Sequence, residues 1–111
     1  MLSKQHRLSR KDFIQTKLRG KTLSAPHFTA VVHNQATGDR HQSRYSVVIS
    51  TKIHKNATVR NRLRRQICEF LRLNPLNKKA DIIIFPKAGM LNLNYEKITA
   101  ELDTFISKIS S

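Results

Sequence analysis

One stretch constrains the rest of the chain. It runs from Thr58 to Asn74: Thr-Val-Arg-Asn-Arg-Leu-Arg-Arg-Gln-Ile-Cys-Glu-Phe-Leu-Arg-Leu-Asn. Apolar residues recur at Val59, Leu63, Ile67, Phe70 and Leu71, the three-and-four spacing of a helix with one buried stripe. Thr58 suits the N-cap, because its hydroxyl can accept one orphan backbone N–H of the first turn. At roughly 100° per residue, Arg60, Asn61, Arg62, Arg64 and Arg65 project away from the stripe or along its rim. These cations crowd the end of the helix where the dipole is already positive. A polyanion relieves that repulsion, and the dipole and free N–H groups then favour phosphate as well. Basic helix faces often serve only as solvated surface. Here, however, no acid sits among the five residues, the nearest being Glu69. The side chains are arginines, whose planar forks grip phosphate in two places and stack on bases. Nucleic-acid contact is therefore the favoured reading.

The charge distribution agrees. The chain of 111 residues carries 21 Lys/Arg against 7 Asp/Glu, a formal charge of +14. Residues 1 to 80 hold 18 Lys/Arg and 3 Asp/Glu, whereas residues 81 to 111 hold 3 and 4. The excess thus lies in the first three quarters, and the last quarter reads as scaffold. Such a charge speaks to partners and not to fold. A hydrophobic content of 39% with clear periodicity indicates one folded domain over residues 1–111. No apolar run approaches the ~18 residues of a membrane span, and the N-terminus lacks the apolar core of a signal peptide. One cysteine excludes an internal disulfide, which suits a reducing cytoplasm.

In chain order, residues 1–7 form a short basic tail. Ser9-Arg-Lys-Asp12 has the form of a capping box, with Leu8 and Phe13 placed for a hydrophobic staple. The helix that follows has Phe13, Ile14 and Leu18 on a narrow apolar side, and Gly20 stops it. Residues 22–33 read as extended, with Pro26 limiting the first part and Phe28–His33 rich in strand formers. Asn34 to Ser43 is a polar loop containing Gly38-Asp39. Tyr45–Thr51 is the strongest strand, and Lys52 to Asn56 adds Lys52 and Lys55 near the start of the arginine helix. Asn74-Pro75 ends that helix, and Lys78-Lys79 prolong the basic surface. Ala80–Phe85 reads as a buried strand closed by Pro86, and Lys87–Met90 as a turn. Asn94 caps a last helix with Ile98, Leu102, Phe105, Ile106 and Ile109 on one stripe. The expected fold is α+β, a small two-layer sandwich whose arginine helix joins two strands as a β–α–β unit. The ordinary crossover is right-handed.

Catalytic constellations are missing from the pattern. The five histidines are scattered, and one Cys provides no zinc-ligand spacing. Cys68 falls opposite the apolar stripe and reads as incidental. Three glycines make no nucleotide-binding loop. Asp12, Asp39, Glu69 and Asp81 lie on different elements, and nothing marks any two as an acid/base pair. No catalytic residue is expected, and protein-side metal ligands stay unassigned.

Residues Lys52-Ile-His-Lys-Asn-Ala-Thr-Val-Arg-Asn-Arg-Leu-Arg-Arg65 resemble the signature of the protein component of bacterial ribonuclease P. The similarity extends to Arg7-Leu8 followed by Asp12-Phe13, the Gly20 stop, the Phe28 strand, Ser50-Thr-Lys52, and Asp81-Ile-Ile-Ile with Lys87 after it. The resemblance implies a subunit of a tRNA-processing endoribonuclease whose RNA performs a magnesium-dependent hydrolysis. It also implies an about four-stranded sheet and an unusual left-handed crossover. By position, Lys55, Arg60, Asn61, Arg62, Arg64 and Arg65 would face the RNA subunit. A cleft between the first helix and the sheet would take the 5′ leader of precursor tRNA, with Arg10, Phe13, Lys17, Phe28, Lys52 and Lys87 as candidates. Many members carry a further aromatic at the positions of Lys17 and Val31, so leader contact here would lean more on charge. Phe13 and Phe28 can equally be core residues.

The competing reading is a small ribosomal-type RNA-binding protein without a processing role. A DNA-binding protein is poorly served, because half of the arginine helix is buried and no dimer-forming segment is visible. A nuclease acting without RNA lacks the acid/base set.

Overall fold

The computed structural model describes residues 10–34, 44–74 and 80–110. The basic tail, the Ser9 capping box with its Leu8 staple, the Gly38-Asp39 loop, Pro75 and Lys78-Lys79 lie outside these described residues. The elements are α1 (Arg10–Arg19), β1 (Lys21–Ser24), β2 (Phe28–Asn34), β3 (Arg44–Val47), α2 (Ala57–Leu73), β4 (Ala80–Pro86) and α3 (Tyr95–Ser110), with a 3-10 turn at Ala88–Asn92 before α3.

The sheet runs β1-β2-β4-β3. The first two pairings are antiparallel, and β3 lies parallel to β4. A parallel neighbour requires a crossover, and α2 supplies it. The extended region at 22–33 divides into a hairpin. Pro26 has no N–H for a ladder, so the chain turns there and the Ala25 N–H donates to the Phe28 carbonyl at 2.8 Å. The strand expected over Tyr45–Thr51 is shorter than its composition suggests. The Val48 N–H still reaches the Ile84 carbonyl at 2.9 Å. The next ladder bond would need an N–H from Pro86, which has none.

Side-chain alternation divides the sheet into two faces. Phe28, Ala30 and Val32 of β2, Ile82 and Ile84 of β4 and Tyr45 of β3 point into one core with α2 and α3. Leu63, Ile67, Phe70 and Leu71 of α2 meet Ile98, Leu102 and Phe105 of α3 there. Asn94 caps α3 as its sequence suggests, accepting the Lys97 N–H at 2.9 Å. Together these form the two-layer sandwich. Helix α1 adds a partial third layer on the opposite face, resting on β2 and β4.

Two helix phases differ from expectation. On α1 the buried side chain is Thr16, while Ile14 is 49% and Leu18 79% exposed. The helix approaches the sheet through its small residues. A Cβ at Gly20 would lie only 2.5 Å from both the Thr16 carbonyl oxygen and the Val31 side chain. On α2, Cys68 is buried in the core and not incidental surface. The helix packs against both β3 and α3, so its covered arc is wider than one stripe.

Candidate nucleic-acid interface

The start of α2 is set by Asn56. Its side-chain oxygen accepts the Thr58 N–H at 2.8 Å, and its own N–H donates to His54 Nδ1 at 3.0 Å. Asn56, not Thr58, is therefore the N-cap. The shift follows from the turn ahead of it, where the Ile53 N–H reaches the Ser50 carbonyl at 3.1 Å and delivers Asn56 in extended conformation. The first turn contains no acid.

From this start the cations fan around the helix. At about 100° per residue, Arg60 and Arg64 fall on one flank, Arg62 on the other, and Asn61 and Arg65 between them. Asn61, Arg62 and Arg65 are exposed, and Arg60 and Arg64 half-buried. Thr58, Asn61, Arg64 and Arg65 line an open depression of about 390 Å³. Asn61 Oδ1 accepts a bond from the Arg64 guanidinium at 2.8 Å, which aims that fork. Arg60 Nε is buried without a hydrogen-bond partner, the one such side-chain nitrogen or oxygen among the described residues. Lys52 and Lys55 are exposed in the turn before the helix. Further along, Glu69 pairs with Arg72 at 2.6 Å. The hydrogen bond from Arg72 holds the Glu69 carboxyl below its usual range. The acid of α2 is thus directed to the far end of the helix, away from the arginine cluster.

A second group is made of residues on α1 and two lysines that follow strands. Arg10 and Lys17 are exposed and Phe13 is half-buried. Lys52 and Lys87, both exposed, follow the carboxyl ends of the neighbouring parallel strands β3 and β4. Phe28 does not join them. It is fully buried on the other face, with its ring edge-on to Phe105 at 5.3 Å, and offers no surface to a base. The alternation that buries Phe28 with Ile82 and Ile84 turns Phe85 to the α1 face, where it is half-buried. Phe85 was missed because Ile82-Ile83-Ile84-Phe85 reads as one continuous apolar run; counting by twos from Ile82 would have separated it.

Two further acids are structural. Asp81 is wholly buried and accepts two bonds from Arg44, each at 3.0 Å. Glu101 accepts the His27 backbone N–H at 2.9 Å, and its other oxygen lies 2.7 Å from His27 Nδ1. This contact ties the β1–β2 turn to α3. Among the described residues, no group of three or more His, Cys, Asp or Glu is placed to hold a metal ion, and no helix is long and apolar enough to cross a membrane.

A family model described as Ribonuclease P matches residues 2–110. The ribonuclease P protein component of Syntrophus aciditrophicus is 34% identical over 110 residues, covering 96% of this chain and 89% of that one. That of Finegoldia magna is 37% identical over 86 residues, covering 76% and 72%. Among solved structures, the ribonuclease P protein from Thermotoga maritima superposes with a TM-score of 0.81 at 25% identity, covering 95% of this chain and 98% of that one. The Staphylococcus aureus protein, at 21% identity and a TM-score of 0.80, shares the fold. The chain belongs to the ribonuclease P protein family and is an RNA-binding subunit of that tRNA-processing ribonucleoprotein endoribonuclease, partnered with ribonuclease P RNA.

Proposed function

We infer that this subunit grips the catalytic RNA with the start of α2 and takes the 5′ leader of precursor tRNA on the α1 face of the sheet. Lys55, Arg60, Arg62, Arg64 and Arg65 neutralise RNA-subunit phosphates, and Asn61 orients Arg64. The observation that carries this reading is the acid-free first turn of α2, ringed by arginines and preceded by the exposed Lys55. On the other face, Arg10, Lys17, Lys52 and Lys87 follow a single-stranded backbone, while Phe13 and Phe85 supply aromatic surface for splayed bases. Bringing two RNAs together is opposed by their charge. Each phosphate neutralised by the protein releases counterions, so the protein matters most when magnesium is scarce.

Magnesium, which the family resemblance implies, is assigned to the RNA. Asp81, Glu101 and Glu69 are engaged by Arg44, His27 and Arg72, and they do not converge on the several-oxygen shell that this hard cation needs. The protein's part is therefore binding and positioning, with bond cleavage left to the RNA. We place this work in the cytoplasm, consistent with a single buried cysteine. The ribosomal-type alternative is not favoured, since the relatives matched are ribonuclease P components.

The test is reconstitution with a bacterial ribonuclease P RNA and a 5′-extended precursor tRNA at low magnesium. Cleavage is expected to accelerate on adding the protein, and the gain to vanish for substrate lacking a leader of several nucleotides. Acceleration independent of the leader would remove the leader-binding half of the reading. No acceleration at any magnesium concentration would remove it all.

A further inference from the structure

Between α2 and the start of α3 lies a groove of about 250 Å³ that the functions above leave unassigned. Its floor is Met90, Leu91 and Ile98, its α2 wall carries Arg62 and Gln66, and Tyr95 stands at its mouth. Met90 and Ile98 are almost fully buried, whereas Tyr95 is 43% exposed, the only large exposed aromatic among the described residues. None of the residues lining it is acidic. The groove lies on the α2–α3 side of the sheet, away from the α1 face.

We propose that this groove captures one unstacked nucleotide of the RNA subunit, its base lying against Tyr95 and Leu91 and its phosphate on Arg62. The inference rests on the RNA-subunit reading of α2 given above. Three features select this occupant. The volume falls below the roughly 300–1,000 Å³ of sites for drug-sized ligands, which suits one base. An exposed ring beside an apolar floor is a stacking platform, and stacking tolerates any base because every base has a π-face. Arg62 belongs both to the groove wall and to the cationic ring of α2, so a strand tracking those arginines passes the groove's mouth. The same placement selects the RNA subunit over the leader, whose surface is on the opposite face. Gln66 offers an amide donor and acceptor to the base edge.

Tyr95→Ala and Tyr95→Phe in the full chain test this, with affinity for ribonuclease P RNA measured at fixed salt and Arg65→Ala as the reference variant. Tyr95 is the first residue of α3 and its side chain is exposed, so the fold is expected to survive; melting curves check that. Tyr95→Ala is expected to weaken RNA binding by about 5- to 100-fold, the range for removing one base stack. Tyr95→Phe should restore binding, and the salt slope should stay that of the parent because every phosphate keeps its cation. Parental affinity in Tyr95→Ala, with Arg65→Ala weakened, would overturn the groove while leaving the α2 reading standing. Parental affinity in both variants would overturn the two together. A loss in Tyr95→Ala that Tyr95→Phe does not restore would also overturn stacking as the cause.

Discussion

Asn61 accepts the Arg64 guanidinium at 2.8 Å, and this bond separates two roles that a basic motif conflates. An arginine on phosphate contributes to the salt dependence of binding, about 0.7–0.9 of slope for each phosphate it neutralises. A residue that only aims an arginine does not. Arg65→Ala should therefore weaken RNA-subunit binding and flatten its salt slope by roughly that amount. Asn61→Ala should weaken binding with the slope nearly unchanged, since Arg64 still reaches the polyanion but with a freer fork. Titrations across a series of potassium concentrations distinguish the two, and an equal flattening in both variants would mean that Arg64 loses its phosphate altogether without Asn61. Phe28 illustrates the opposite case. Its type and strand position suit base stacking, yet its ring is sealed against Phe105. Arg44 and Asp81 likewise serve the fold. Arg44→Ala removes two charge-assisted bonds from the wholly buried Asp81 and should cost about 3–5 kcal/mol in urea unfolding.

At the scale of the element, α2 does two jobs with one sequence. Its stripe of Leu63, Ile67 and Leu71 anchors it in the core, and the anchoring lets the cationic first turns stay ordered despite the unfavourable dipole. The cap completes this. Asn56 satisfies an orphan N–H, so Asn56→Ala should cost about 0.5–2 kcal/mol in urea unfolding. Thr58→Ala, at an exposed position inside the helix, should fall within about 0.5 kcal/mol of the parent. A reversal of that order would put the cap where composition alone suggests it. The choice between Asn56 and Thr58 was not legible locally, because both residue types cap well. The turn at Ser50–Ile53 made it. The phase of α1 was illegible for a related reason. Ile14 and Leu18 are the more apolar residues, but backbone approach at Gly20 rewards small Thr16 instead.

At the scale of the molecule, the sheet separates two surfaces, with α2 and α3 on one face and α1 on the other. With the two RNAs assigned to opposite faces, the effects of substitution should separate too. Lys17→Ala should raise KM for leader-bearing precursor and flatten its salt slope by about 0.7, while leaving affinity for the RNA subunit alone unchanged. Arg65→Ala should do the reverse. Coupled losses in both variants would mean that one surface serves both RNAs. The α+β class, the β–α–β unit, the arginine face of α2 and the cap and stripe of α3 were all readable from the chain. Each depends on periodicity, capping chemistry or charge within a single segment, and these are local properties of the sequence. Only the tertiary structure decided that Phe28 is core and Phe85 faces α1, that Cys68 is buried, that Thr16 seats α1, and that α2 and α3 enclose a groove beside Arg62. Those outcomes depend on which surfaces meet across the sheet, and residue spacing along one segment carries no information about the segment packed against it.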